Sequence, residues 1–114
     1  MKDCLFCKII AGEIPGKKIY EDDDIYAFHD IAPQGPVHFL VVPKKHIRNM
    51  MELEEGDSPL IGKLLFKAQE ILAAQGCGER GGRFVINCKS DGMQTVDHIH
   101  VHVIGGRSLG WPPG

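Results

Sequence analysis

Three of the six histidines in this 114-residue chain, His98, His100 and His102, fall within five positions. Ile99 and Val101 separate them, and such aliphatic, largely β-branched neighbours favour a strand. Alternate side chains of a strand share a face. The three imidazoles therefore line one side, with Ile99, Val101 and Val103 on the other. A row of imidazoles is poor core material, because each buried ring nitrogen needs a partner. It suits ligation, proton transfer or nucleophilic attack near neutral pH, since the ordinary imidazole pKa is about 6.5.

Cys4 and Cys7 form a second constellation, a Cys-x-x-Cys pair near the N-terminus. Tetrahedral zinc commonly takes two thiolates at this spacing, with later histidines completing the set. In an extended strand the Cα atoms of His98 and His102 stand roughly 13 Å apart at ~3.3 Å per residue. Zinc–nitrogen bonds are only about 2 Å long, so one ion cannot use all three rings and the row must divide between jobs. A redox role for the cysteine pair calls for a strand leading into a helix, and none precedes it. Two small thiols packed inertly on a helix is the third reading, and the spacing alone leaves these alternatives open.

The remaining composition is that of an ordinary globular domain, with 43% hydrophobic and 25% charged residues. One domain over residues 1–114 is expected, ending in a tail from about 105. A formal charge of −2 gives no electrostatic basis for nucleic acid or an anionic membrane as partner. No apolar run approaches the ~20 residues of a membrane span. Lys2, Asp3 and Lys8 stand where a secretory signal needs its apolar stretch, so a cytoplasmic location is expected. In that reducing compartment a disulfide framework is not expected, and Cys77 and Cys88 read as small apolar packing residues.

The chemistry-bearing residues need elements to hold them. Leu5 and Ile9, with Phe6 and Ile10 nearby, predict a short helix over residues 3–11, ended by Gly12. Strands follow near Lys17–Glu21 and Ile25–His29, around the acidic turn at Asp22, Asp23 and Asp24. Pro33, Gly35 and Pro36 mark a loop before a third strand, His38–Val42, stopped by Pro43. Ser58 as N-cap, Pro59 in the first turn and a stripe of Leu60, Leu64, Ala68, Ile71 and Leu72 predict the longest helix, with Gly76 as its terminator. Arg83–Cys88 reads as a fourth strand and the histidine row as a fifth, closed by Gly105 and Gly106. Short links between strands point to an antiparallel α+β domain.

The stretch Gln94–Ile104 resembles the signature of the histidine-triad (HIT) family, in which three histidines alternate with apolar residues. The resemblance runs over nearly the whole chain: Cys4–Pro15, Phe28–Ile31, Pro43–His46 and Ser90–Gly92 match family segments. Gly105, Gly106 and Arg107 and the ending Trp111–Gly114 are similar to the nucleotide-binding (Hint) branch. The resemblance implies an α+β subunit with an antiparallel sheet of about five strands and two helices, paired as a homodimer with a continuous sheet. It implies hydrolysis of purine nucleoside 5′-phosphoramidates, with an AMP-like nucleotide as ligand and His100 as the nucleophile. Asp30 matches the ribose-binding carboxylate, and Ile31 lies beside the base. Asn87, Gln94, Thr95 and His102 match positions that bind or polarise the phosphate. Where family members keep the cysteine pair, zinc is held by the equivalents of Cys4, Cys7, His46 and His98. That assignment agrees with the division the strand spacing demands, and it makes zinc a structural staple, with no redox cofactor implied.

Three departures from the family pattern bear on selectivity and rate. Met93 stands where glycine is usual, in the turn approaching the phosphate; Thr95 replaces serine, keeping the hydroxyl on a stiffer χ1; Asp97 takes a position often apolar and is expected to face solvent. Two other readings come from the same residues. One is hydrolysis of dinucleoside polyphosphates, as in a sister branch of the family, against which the C-terminal Trp-Pro-Pro-Gly argues. The other is a nucleotide-sensing module with vestigial hydrolysis, against which retention of all three histidines argues. His29 and His38 read as surface or strand-filling residues, Lys44 and Lys45 as a solvated turn.

Overall fold

A computed structural model describes residues 3–114. Its five strands are β1 (Lys18–Glu21), β2 (Ile25–His29), β3 (Val37–Pro43), β4 (Gly82–Val85) and β5 (Val101–Gly105). They form one antiparallel sheet in the order β1-β2-β3-β5-β4. Two helices, α1 (Leu5–Ile10) and α2 (Ser58–Leu72), complete the α+β architecture that composition and patterning predict.

Each face of the sheet is covered by one helix, and strand alternation decides which residues go where. Ile25, Ala27, Phe39, Val41, Val101 and Val103 point to the α2 face, where Leu64, Ala68, Ile71 and Leu72 pack on them. Tyr26, Phe28, Leu40 and Val42 point to the α1 face and meet Phe6 and Ile9. With both faces covered, β3 is buried almost throughout and reads as a near-continuous apolar run. His38 interrupts that run.

The helices depart from expectation in detail. On α1 the buried residues are Phe6 and Ile9, while Leu5 faces out, because the helix turns Phe6 onto Phe28 of β2. Ser58 opens α2 rather than capping it. Asp57 precedes it, and its carboxylate accepts from the Glu54 amide and pairs with Lys45 at 2.7 Å. Lys44 pairs with Glu21, also at 2.7 Å, so the two lysines are anchored rather than simply solvated. Leu60 is only half-buried, since the stripe meets the sheet from Leu64 onward. Gly76 sits at φ +89°, where a side chain would be strained, and it turns the chain out of the helix end.

The fourth strand is shorter than expected and ends at Val85, leaving Ile86, Asn87 and Cys88 irregular. The fifth starts only at Val101, so His98 and His100 lie outside the sheet ladder. The cause is local: the Ile99 amide donates to the Ile47 carbonyl at 2.7 Å and the His98 amide to Val96 at 2.9 Å. His98, Ile99 and His100 are all buried there, and both histidine rings pack against Phe6 of α1. Among the described residues, no helix is long and apolar enough to cross a membrane.

Candidate functional site

The irregular lead-in to β5 places His98 and His100 beneath α1, and β5 itself carries His102. The three rings enter different networks. His98 is fully buried, and its Nε2 lies 2.7 Å from the Pro43 carbonyl. A carbonyl only accepts, so Nε2 carries the hydrogen and Nδ1 keeps its lone pair. That lone pair faces the Sγ of Cys4 at 3.3 Å, the Sγ of Cys7 at 3.5 Å and Nδ1 of His46 at 3.1 Å. The Cys7 Sγ is 3.4 Å from His46 Nδ1.

These spacings test whether the four residues fit a metal. A tetrahedral zinc with bonds of about 2.0 Å to nitrogen and 2.3 Å to sulfur has N–N edges of about 3.3 Å and S–N edges of about 3.5 Å. The four donor atoms lie within 4.8 Å of one another at matching separations. Burial, then the neighbouring Cys4, pushes the Cys7 thiol up to about 11, so its thiolate is disfavoured here unless a cation compensates. The Pro43 carbonyl supplies the outer-shell partner that fixes a ligating imidazole. Cys4, Cys7, His46 and His98 fit zinc.

His100 is 3% exposed, and its Nδ1 lies 2.7 Å from the carbonyl of His98. By the same reasoning Nδ1 carries the hydrogen, leaving Nε2 as the lone-pair atom. Burial pushes its pKa below the ordinary value, with the His98 carbonyl and Asp30 acting the other way. The ring is therefore neutral near pH 7 with a fixed tautomer.

His102 is tied to a residue that sequence reasoning passed over. The Gln34 amide donates to His38 Nδ1 at 2.9 Å, so neutral His38 carries its hydrogen on Nε2. That Nε2 sits 3.0 Å from His102 Nδ1 and 3.4 Å from Asp30 Oδ2. His102 consequently accepts at Nδ1 and presents Nε2–H. Burial, then His100 and His38, holds its pKa down to about 4. Asp30, His38 and His102 cluster closely enough to suggest a second metal site. The proton that the Gln34 amide forces onto His38 Nε2 makes this trio a hydrogen-bonded relay instead. The signal for His38 was one imidazole inside an otherwise apolar strand buried on both faces.

Three of the other expected residues, Asp30, Ile31 and Thr95, line two separate grooves. Asp30 and Ile31 line one of about 750 Å³, with Pro15, Gly16, Lys17 and His38 among its walls. Ile31 is completely exposed at its mouth, and Asp30 Oδ1 accepts from the Ala32 amide at 2.7 Å. Thr95 lines a second groove, of about 610 Å³, beside Cys4, His46 and Arg48. Gln94 was expected to donate to a phosphate. Instead its amide nitrogen donates to the carbonyls of Arg48 at 2.6 Å and Val96 at 3.0 Å, which takes both hydrogens. Its oxygen accepts from the Lys89 amide, so Gln94 braces the 89–94 turn. Met93 in that turn has φ +57°, the left-handed region natural to glycine, and its side chain is exposed. Asn87 follows β4, half-buried, and Asp97 faces solvent as expected.

The sequence matches the model of the HIT domain over residues 11–109. The chain belongs to the HIT domain family. It is 47% identical over 114 residues to the 14 kDa zinc-binding protein of Brassica juncea, covering 98% of this chain and all of that one. The crystal structure of a HIT family hydrolase from Legionella pneumophila superposes with a TM-score of 0.96 at 48% identity, over 98% of this chain and 100% of that one. The histidine triad nucleotide-binding protein of Candida albicans superposes at 0.76 with 31% identity, over 96% and 83% of the two chains. This HIT protein is thus similar to hydrolases and nucleotide-binding proteins over nearly its full length.

Proposed function

We propose that this HIT protein hydrolyses purine nucleoside 5′-phosphoramidates through a covalent nucleotidyl-histidine intermediate on His100. The observation that carries the reading is the 2.7 Å bond from His100 Nδ1 to the His98 carbonyl, which leaves Nε2 as a neutral nucleophile. The hydrolase and nucleotide-binding names of its relatives support the broader class.

In this mechanism Nε2 of His100 attacks phosphorus, and the P–N bond breaks as the amine leaves. His102 Nε2–H donates a hydrogen bond to a phosphoryl oxygen, held in that tautomer by the His38–Asp30 relay behind it, and the departing nitrogen takes its proton from solvent. Water then attacks the same phosphorus and loses a proton to solvent. The P–N bond to His100 breaks and releases the nucleoside monophosphate. The Thr95 hydroxyl and Asn87 amide are the donors assigned to the phosphoryl oxygens, and Gln94 braces the 89–94 turn that precedes Thr95. Asp30 and Ile31 take the ribose and base in the 750 Å³ groove.

Zinc held by Cys4, Cys7, His46 and His98 would supply charge neutralisation and a tie between α1 and the lead-in to β5. A homodimer with a continuous sheet belongs to the same reading. It is supported by the open edge of β4 and by Phe84 and Phe66, which stay 42% and 62% exposed. Incubation with an adenosine 5′-phosphoramidate tests the activity. Wild type should release AMP, and His100→Asn should lose at least about a thousandfold in kcat. Equal turnover by the two proteins would overturn the nucleophile. Comparison with a dinucleoside polyphosphate at equal concentration tests the substrate class.

A further inference from the structure

The metal centre and the nucleophile meet at one residue. The His98 ring is held on one side by Cys4, Cys7 and His46 and on the other by the Pro43 carbonyl. The same residue's main-chain carbonyl fixes the His100 tautomer. Because His98 and His100 lie outside the β5 ladder, strand pairing does not hold this carbonyl in place. The Ile99 amide bond to Ile47, one residue after His46, ties the segment to the metal-ligand loop. Whatever loosens the Cys4–Cys7 end therefore loosens His100.

That end reaches solvent through Cys7, while Cys4 is 8% exposed. A groove of about 610 Å³ is lined by Cys4, His46, Arg48 and Thr95, and Cys7 is itself half-buried. The Cys7 amide donates to Cys4 Sγ at 3.3 Å, and the two sulfurs lie within 4.8 Å of each other.

We propose that Cys4 and Cys7 form a peroxide-sensitive modification site whose oxidation disengages the metal ligands and switches off His100. The proposal rests on the phosphoramidase reading for its catalytic consequence, though not for the chemistry at sulfur. The two thiolates give two electrons to hydrogen peroxide. An S–S bond forms between Cys4 and Cys7, the O–O bond breaks, and two solvent protons carry the oxygens away as two waters. The disulfide sulfurs no longer hold a dication, so His46 and His98 lose their shared partner and Zn2+ is released with its charge unchanged. His98 then keeps only its Pro43 contact, and its carbonyl no longer holds His100 Nδ1–H in one position.

The test treats zinc-loaded full-length protein with graded hydrogen peroxide. Released metal is read with a colour-forming chelator, the disulfide by mass spectrometry, and the His100 tautomer by 15N NMR of the imidazoles. One metal should leave per Cys4–Cys7 disulfide, with exchange broadening or loss of the His100 Nδ1–H signal, and dithiothreitol plus zinc should restore both. In the same samples kcat should fall on the order of 10- to 100-fold, the scale expected when a reacting group is misplaced by about 1 Å, while KM changes little. Cys88→Ser should respond as wild type does. Zinc retained under peroxide, or zinc lost with the His100 signal unchanged, would overturn the proposal. Protein that never hydrolyses the phosphoramidate, even when reduced and zinc-loaded, would defeat the phosphoramidase reading, and the metal and tautomer signals would still decide this one.

Discussion

Nε2 of His38 lies 3.0 Å from Nδ1 of His102, and this contact selects the nitrogen that His102 turns toward substrate. Gln34 imposes the tautomer on His38, His38 imposes it on His102, and Asp30 stands beside both rings. A backbone amide of the β2–β3 loop thus sets the proton inventory of the site.

Replacing His38 by Phe keeps the ring volume and removes the donor to His102. The His102 Nε2–H then loses its fixed aim at the phosphoryl oxygens, and kcat should fall on the order of 100-fold. The melting temperature should also drop, by about 4–8 °C for each kcal/mol lost, since one buried hydrogen-bonded pair is worth about 1–3 kcal/mol. Steady-state kinetics and thermal melts check this together. An unchanged kcat would exclude the relay.

Acid should destabilise the protein through its histidines. His102 is held down to about 4 by burial, then by His100 and His38, whereas in the unfolded chain it titrates near the ordinary value of about 6.5. Between these values the unfolded state binds a proton that the folded state refuses. Stability present above about pH 6.5 is therefore lost progressively as pH falls toward 4. Burial lowers His38 and His100 in the same direction. Thermal melting of chelator-treated protein, so that metal loss does not contribute, should show a melting temperature level above pH 7 and falling below 6.5. A level curve down to pH 4.5 would contradict it.

Metal removal should lower stability sharply. A ligand present at about 1,000 times its Kd stabilises by about 4 kcal/mol. At about 4–8 °C per kcal/mol for a domain near this size, stripping zinc should cost about 15 °C or more in melting temperature. Differential scanning calorimetry with and without chelator measures this, and Cys7→Ser should remove most of the difference.

Asp30→Ala should weaken the nucleoside end of the site. A carboxylate that accepts from a ribose hydroxyl contributes about 1.5–3 kcal/mol, so KM for a ribonucleoside phosphoramidate should rise on the order of tenfold or more. The 2′-deoxy analogue should be affected less, and parallel kinetics on the two substrates decide the matter.

In the core, Leu64 of α2 is fully buried against the sheet. Leu64→Ala should cost about 2–5 kcal/mol in chemical denaturation while leaving KM unchanged, because the residue sits on the face opposite the histidines.

The elements were legible because each strand and helix buries one periodic set of side chains. Ile25–His29 and the stripe from Leu64 to Leu72 appear where the pattern puts them. The end of β4 at Val85 and the late start of β5 were not, because loop amides and carbonyls compete for those partners. The metal set was readable in part: the cysteine spacing announced two ligands and strand spacing barred a three-histidine site. His46 as a partner came through the family resemblance. His38 was missed because a lone histidine in a strand says nothing of a ring that lies 64 residues further along.

By itself the sequence determined the α+β class, the alternation that puts His98, His100 and His102 apart from Ile99, Val101 and Val103, and the need to divide the three rings between jobs. Those follow from local periodicity and bond lengths. Only the tertiary structure decided what each ring does, because a tautomer is set by whichever group faces the other nitrogen. For His98 that group is the Pro43 carbonyl, for His100 the His98 carbonyl, and for His102 the His38 ring. Two of those three partners lie more than fifty residues away along the chain and arrive only when β3 docks beside β5.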